Sequence, residues 1–134
     1  MPNRYGMGGR VAGTFDEVVA RVREAFREEG FGVVTEMEVR ATLKAKLGLE
    51  MEPYLVLGMC NPSLASRAIA LEPDLGLLLP CNVLVRQAGG EVHVRVMDPL
   101  LMMTVTGNPA LAPLGEEARA AVDRALKSLF PTSV

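Results

Sequence analysis

The sequence feature that most constrains the fold is the regular alternation of side chains in residues 31–40. The side chains of a β-strand point alternately to the two faces of a sheet, so a period of two predicts a strand. One face is mostly apolar: Phe31, Val33, Thr35, Met37 and Val39. A strand that is polar on its other side fits an antiparallel sheet with one solvated face better than a parallel sheet buried on both faces.

A helix with a clear beginning and end precedes this strand. Thr14 and Glu17 have the spacing of a capping box, in which each side chain bonds the backbone N–H of the other residue. Gly30 supplies a C-terminal stop. Apolar residues recur at helical spacing between these signals, and the pattern predicts a helix over residues 15–29. The same periodicity predicts a final amphipathic helix over residues 114–129.

Further segments have the composition of strands: residues 4–12, 54–59, 77–87 and 91–97. Pro80 interrupts the third of them, and because proline cannot donate to a ladder, we expect a bulge or an edge position there. Residues 88–90, Ala-Gly-Gly, predict a hairpin turn between the last two strands.

Two connections between strands are of interest. Asn61 and Pro62 read as the N-cap and the first residue of a helix that runs to about Leu71. Residues 41–52 form either a short helix or a loose connection. The order of elements predicts an α+β fold with a single antiparallel sheet and helices packed on one face. A length of 134 residues fits a single domain over residues 1–134.

Charge and composition exclude several classes of protein. The net charge is −2 and the isoelectric point about 5.5. Proteins that bind nucleic acid usually carry a basic surplus for phosphate contacts, so we expect no nucleic-acid partner. The apolar runs are far shorter than the roughly 20 residues of a membrane span. The N-terminal residues lack the apolar stretch of a signal peptide, and two cysteines are too few for a disulfide framework. We therefore expect a cytoplasmic protein with reduced thiols.

The most suggestive local sequence surrounds Cys60, which stands where a strand ends and a helix begins. Free N–H groups at a helix N-terminus favour anions and lower the pKa of a nearby thiol. Cys60 is then a nucleophile, a redox thiol or, with the side chain of Asn61, part of an anion site. The structural alternative is that Asn61 caps the helix and Cys60 is a small buried apolar residue.

A second segment adds candidates for the same site. Pro80 and Cys81 are also followed by an asparagine, and Cys81 shares a strand face with Val83 and Val85, which indicates the core. The candidate ligand-binding residues are Cys60, Asn61, Pro80, Cys81, Met102 and Met103. Methionine packs adaptably, so the last two residues suit either a plastic pocket or ordinary core filling.

No metal site or cofactor is predicted. His93, the single histidine, lies on the strand face opposite the valines, together with Arg95. The spacing of the four conceivable ligands, Cys60, Cys81, His93 and Asp98, lacks the close ligand pairs of zinc motifs. Neither a glycine-rich phosphate loop nor a nucleophile elbow occurs in the sequence.

Four short segments together carry a resemblance to a known family: Gly30–Phe31, Leu57–Pro62, Leu79–Asn82 and Met97–Pro99. The chain resembles the domain-of-unknown-function 302 family from about residue 5 to residue 129. The resemblance implies a TATA-binding-protein-like β-α-β(4)-α arrangement and a homodimer. The helix that starts at Pro62 is then an insertion between strands. The resemblance implies no activity, cofactor or catalytic residue, and likeness of fold does not imply DNA binding.

Three functions remain open from the sequence. The first is a small-molecule or anion binding module, dimeric by the resemblance, with its site at the six candidate residues. The second is a structural or interaction protein without pocket chemistry. The third is a thiol enzyme or redox protein that uses Cys60. Reactivity of Cys60 near neutral pH separates the third function from the other two.

Overall fold

The computed structural model describes residues 4–130, and they contain five strands and five α-helices. The strands are β1 (Gly6–Val11), β2 (Gly32–Glu38), β3 (Tyr54–Cys60), β4 (Cys81–Ala88) and β5 (Glu91–Met97). The helices are α1 (Phe15–Glu28), α2 (Val39–Leu47), α3 (Pro62–Leu71), α4 (Leu101–Thr106) and α5 (Ala112–Leu129). Two 3₁₀ turns cover Pro73–Leu78 and Pro109–Leu111.

The five strands form one sheet in the order β1-β5-β4-β3-β2, and every neighbouring pair is antiparallel. The predicted α+β class and the single antiparallel sheet are confirmed. The β-α-β(4)-α order is present in β1, α1, β2 to β5 and α5. The shorter helices α2 and α3 are inserted between strands, and α4 lies between β5 and α5.

The capping box of α1 forms as its spacing predicts. The Thr14 hydroxyl accepts the Glu17 N–H at 3.2 Å, and a Glu17 carboxylate oxygen accepts the Thr14 N–H at 2.9 Å. These bonds satisfy two N–H groups that the first turn of a helix leaves without a partner. The second one lowers the pKa of the Glu17 carboxyl group. The start of α1 is therefore fixed by its own sequence.

The main core lies between one face of the sheet and the helices α1 and α5. Its fully buried residues alternate along the strands, as in Val83 and Val85 of β4 or Val94 and Val96 of β5. Phe26 of α1 packs edge-to-face against Phe31, with ring centroids 5.8 Å apart. Burial of each such side chain stabilises the fold by about 1.5–3 kcal/mol. Cys81 shares this face, as its alternation with the valines predicts.

Strand β2 corrects one detail of the sequence analysis. Val33 pairs with Met59 on the core face, but the register shifts between Val33 and Thr35, and Thr35 pairs with Gly58 on the opposite face. Val34 is the extra residue, and such a bulge moves every following side chain to the other side of the sheet. The five residues predicted to share one face are therefore separated, because Thr35 and Met37 lie on the face opposite Val33 and Val39 already belongs to α2.

The position of Pro80 is a second correction. The predicted strand over residues 77–87 begins only at Cys81, because residues 73–78 form a 3₁₀ turn and a cis peptide bond joins Leu79 to Pro80. Strand β4 is internal to the sheet, so Pro80 is neither in a bulge nor on an edge strand. A proline just before the first residue of a strand removes no ladder hydrogen bond.

Two short segments outside the sheet form helices, and the first of them is the one that the sequence left ambiguous. The segment after β2 forms α2, which ends at Gly48 in the left-handed conformation, with a φ of +66°. The apolar stretch that begins at Leu100 continues as α4 and ends at Gly107. In the described part of the chain, no helix is long and apolar enough to cross a bilayer.

Candidate functional site

A pocket of about 60 Å³ lies at the end of the sheet where β3 ends and β4 begins. Residues of α3, the 3₁₀ turn at 73–78, α4 and the first half of α5 close it. Its wall includes the minor cluster, a small group of buried residues separate from the main core: Ala68, Leu75 and Leu111. The residues that line the pocket include Cys60, Asn61, Leu75, Cys81, Met102 and Ala118.

The lining of this pocket is almost wholly apolar. Among the described residues, no side chain with a formal charge lines it, and Asn61 contributes the single amide. A volume of about 60 Å³ exceeds several times the roughly 10–15 Å³ that one water molecule needs. Because a water also needs polar partners, apolar cavities stay dry and accept apolar guests. The pocket therefore suits a small apolar group.

Asn61 joins two helices through its side chain. Its Oδ1 accepts the Leu64 N–H at 3.2 Å, which makes it the N-cap of α3. Its Nδ2 donates to the carbonyl oxygen of Glu29, just past the end of α1, at 3.4 Å. Because both ends of the amide are bonded to the backbone, Asn61 positions α3 beside the end of α1. The predicted N-cap is confirmed.

Cys60 ends β3 and is half-buried, with a free thiol. Tyr54, at the other end of β3, stands beside Arg86, and Arg86 stands beside His93. Cys60 follows Tyr54 by six residues, a distance of about 20 Å at roughly 3.3 Å per residue. The single imidazole is therefore too far away to act as the base for this thiol.

Cys81 is buried at the first position of β4 and also lines the pocket. Burial raises the pKa of the Cys81 thiol from 9.0 to about 11, because the thiolate loses its hydration. Its Sγ lies 4.0 Å from the carbonyl oxygen of Met97. The thiolate is the nucleophilic form, so the raised pKa disfavours a nucleophilic role for Cys81 near neutral pH.

The structure brings four of the six predicted site residues to one pocket: Cys60, Asn61, Cys81 and Met102. Met103 is the neighbour of Met102 in α4 but does not line the pocket. The ring of Pro80 lies against Gly58, where an added Cβ would approach its Cγ to 2.6 Å. Gly58 is on the sheet face opposite the main core, so Pro80 packs on that face.

Several lining residues were missed by the sequence analysis. Leu75, Leu111, Leu114 and Ala118 belong to the 3₁₀ turns and to α5, and their spacing indicates only that they are buried. Gly115 allows the chain at Pro99 and Leu100 to approach α5, since a Cβ there would lie 3.4 Å from Leu100 Cδ2. The sequence contains one signal for this contact, which is Gly115 itself. Glycine has low helix propensity, so a glycine within a helix often has a packing reason.

No candidate metal centre occurs in residues 4–130, where no group of three histidine, cysteine, aspartate or glutamate side chains is close enough to hold an ion. Asp98 has protein partners of its own. Its Oδ1 accepts the Leu100 N–H at 3.0 Å, and its Oδ2 lies 3.6 Å from Arg119 Nη1. Asp98 therefore stabilises the turn that leads into α4.

Comparison with known proteins decides the family. The family model described as domain of unknown function DUF302 matches residues 9–129. The chain belongs to the DUF302 family. The resemblance of the four short segments is thereby confirmed. No curated protein matches the sequence.

A solved structure shares both the family and the fold. The chain is similar to the crystal structure of an uncharacterized conserved DUF302 protein from Bacillus stearothermophilus, with 26% identity and a TM-score of 0.88. The match covers 96% of this chain and 100% of the other. The pocket described above therefore lies within the part of the chain that has the DUF302 fold.

Proposed function

We propose that this DUF302 protein binds a small apolar molecule, or the apolar end of a larger one, in the pocket at the end of β3. The observation that carries the proposal is the pocket itself, about 60 Å³ in volume and lined by apolar side chains without a formal charge. Engineered cavities of about 150 Å³ take up benzene or xenon when their walls are apolar. The pocket of this protein is smaller than those cavities and therefore suits a smaller ligand.

The same features favour an apolar ligand over the other two candidates for this pocket. An anion needs a charged partner or free N–H groups, but the Asn61 amide already bonds the N-terminus of α3. A thiol enzyme needs a reactive thiolate, but burial raises the pKa of Cys81 and no imidazole lies near Cys60. Both cysteines are free, which fits the reducing cytoplasm that we expect for this protein.

The test uses two matched variants of α5. Ala118 lines the pocket, and Ala120, two residues further along, is exposed. Ala118→Leu fills the pocket, whereas Ala120→Leu adds the same atoms to the surface. We expect short aliphatic alcohols and thiols to raise the melting temperature of the native protein and of Ala120→Leu, because a ligand bound by the folded state alone stabilises it. Ala118→Leu should show no such shift.

The proposal fails if none of these compounds shifts the melting temperature of the native protein. It also fails if Ala118→Leu responds as strongly as Ala120→Leu, because binding would then lie elsewhere. Solvent extraction of the purified protein, followed by mass spectrometry, identifies any molecule retained in the pocket. We expect a retained molecule to be present in Ala120→Leu and absent in Ala118→Leu.

A second candidate function is self-association, and one observation supports it. Large apolar side chains are exposed around the pocket, among them Leu77 at 87% and Val105 at 63% exposure. Leu77 belongs to the 3₁₀ turn at 73–78 and Val105 to α4, and these two segments contact each other. Contiguous exposed apolar surface is typical of interaction sites. We propose this surface as the contact of the expected homodimer.

Sedimentation tests this second function. We expect the native protein to sediment as a dimer and Leu77→Glu to sediment as a monomer, because a buried unpaired carboxylate opposes association. Glu50→Gln, a change at an exposed position in the loop after α2, should leave the dimer intact. A native protein that stays monomeric at all accessible concentrations would exclude the homodimer.

A further inference from the structure

The sheet face opposite the main core holds a row of basic side chains from three neighbouring strands. In the register of the sheet, Arg10 of β1 stands beside His93 of β5, and His93 stands beside Arg86 of β4. Tyr54 of β3 continues the same row. Arg95 lies two residues further along β5, on the same face. We call Arg10, Arg86, His93 and Arg95 the basic row.

These side chains line a wide concavity of about 1050 Å³ along the sheet. Small-molecule sites commonly have volumes of roughly 300–1,000 Å³. Two glycines of β1, Gly6 and Gly8, also line it and leave the surface without side chains at that edge. The concavity is therefore large enough for an organic molecule and lies on the sheet face opposite the main core.

The charge of this concavity opposes the charge of the whole chain. The chain has a net charge of −2, but the concavity is lined by three arginines and a histidine against one carboxylate. That carboxylate, Glu91, is already bonded to Arg10. Similar charges on neighbouring strands are destabilising, so the sequence concentrates positive charge at a local cost. Departures of this kind are typical of functional sites.

Two arginines of the basic row are incompletely bonded within the described residues. Arg86 is half-buried and has no hydrogen bond or ion pair there. Arg95 donates from Nη1 to the carbonyl oxygen of Gly8 at 2.8 Å, while its Nη2 is buried without a hydrogen-bond partner. Because Nη2 of Arg95 is closed to solvent, it adds positive charge at a cost in free energy, and the unbonded guanidinium group of Arg86 is the one open to a ligand. The guanidinium group matches phosphate oxygens in geometry and charge.

We propose that the open face of the sheet binds a small phosphate compound, organic or inorganic, through the basic row. Arg86 supplies donors to the phosphate oxygens, Arg10, His93 and Arg95 surround them with basic groups, and the ring of Tyr54 beside Arg86 offers an apolar surface for an organic part. This site is separate from the apolar pocket, since the two share no lining residue. Its success or failure is therefore independent of the function proposed above.

The test is a titration of the full chain with inorganic pyrophosphate and with adenosine monophosphate, followed by calorimetry and by amide NMR. We expect binding by at least one of them, with the largest shifts in β4 and β5 around Arg86 and His93. Arg86→Gln should weaken binding about tenfold or more, the typical effect of losing one charge-assisted hydrogen bond. Arg86 has no hydrogen-bond or ion-pair partner among residues 4–130, so its replacement leaves no described group unsatisfied.

The matched control is Arg27→Gln, which removes the same charge from an exposed position of α1. Its affinity for the phosphate should stay within about twofold of the native value, because exposed distant charges are screened by salt. Arg10→Gln provides a second variant in the row and should also weaken binding. Thermal melting of every variant verifies that it is folded.

Three results would overturn the proposal. The first is the absence of binding by both probes at moderate ionic strength. The second is an equal loss of affinity in Arg86→Gln and Arg27→Gln, which would indicate a general effect of charge. The third is amide protection in β4 and β5 that rises with protein concentration in the absence of phosphate, which would mean that a second copy of the chain covers this face.

Discussion

The main core and the minor cluster differ in how well they are filled. The main core joins the sheet to two long helices and contains the aromatic pair Phe26 and Phe31. The minor cluster has three buried residues, held by short helices and 3₁₀ turns, and borders the pocket. Interiors are close-packed as a rule, so the unfilled volume beside the minor cluster sets this region apart from the main core.

The main core and the minor cluster also differ in what they contribute to the molecule. Burial against a five-stranded sheet fixes the fold, because each valine of β4 and β5 packs between regular elements. The minor cluster rests on α3, α4 and the turns between them, and short elements of this kind open locally at lower free energy than core strands. We therefore expect ligands to enter through the minor cluster without disturbing the sheet.

The largest expected effect is in the main core. Phe26→Ala should lower the free energy of unfolding by about 3–5 kcal/mol, because it removes a buried ring and leaves a cavity. Urea denaturation, followed by circular dichroism, measures the change. A loss below about 1 kcal/mol would break the distinction between the two regions.

The second prediction concerns Cys81, which faces both the main core and the pocket. Its pKa is raised to about 11 in the folded protein, so the folded state holds the proton more tightly than the unfolded state. The stabilisation is complete below about pH 9 and is lost as the pH rises towards 11, with a total of at most about 3 kcal/mol.

The check for this pH dependence is a comparison of variants. Unfolding free energies measured between pH 8 and pH 11 should fall more steeply for the native protein than for Cys81→Ala. Cys60→Ala serves as the control and should keep the native slope. Identical slopes in all three proteins would show that the Cys81 thiol is not buried as described.

A smaller effect is expected in the minor cluster. Leu75→Ala should cost about 2 kcal/mol, the lower end of the range for buried leucines, because the adjacent pocket already limits the contacts of this side chain. Hydrogen exchange should accelerate in α3 and α4 while β4 and β5 stay protected. Equal acceleration in the sheet would mean that the two clusters form one cooperative unit.

The sequence predicts the regular parts of the fold well and the site only in part. The capping box at Thr14, the Asn61 N-cap and the alternation in β4 and β5 are local signals, and the structure confirms them. The bulge at Val34 depends on pairing with β3 and leaves no local signal. Pro80 was misplaced because the apolar residues before it suit a 3₁₀ turn as well as a strand.

The candidate site shows the same limit. Cys60 and Asn61 were found because a strand-to-helix junction has a recognisable sequence, and Cys81 and Met102 join them through tertiary packing alone. The basic row was also invisible to the sequence analysis as a group. Arg10, Arg86 and His93 come from distant parts of the chain, and the sheet register places them side by side.

The most direct measurement for the central claim is methyl NMR of the native protein under xenon pressure. We expect chemical-shift changes for the methyl groups of Met102, Leu75 and Ala118, which line the pocket. We expect none for Val83 or Val94 in the main core. Ala118→Leu should abolish the shifts at Met102 and Leu75. Shifts that are absent at the pocket, or that appear equally at Val83 and Val94, would contradict the account.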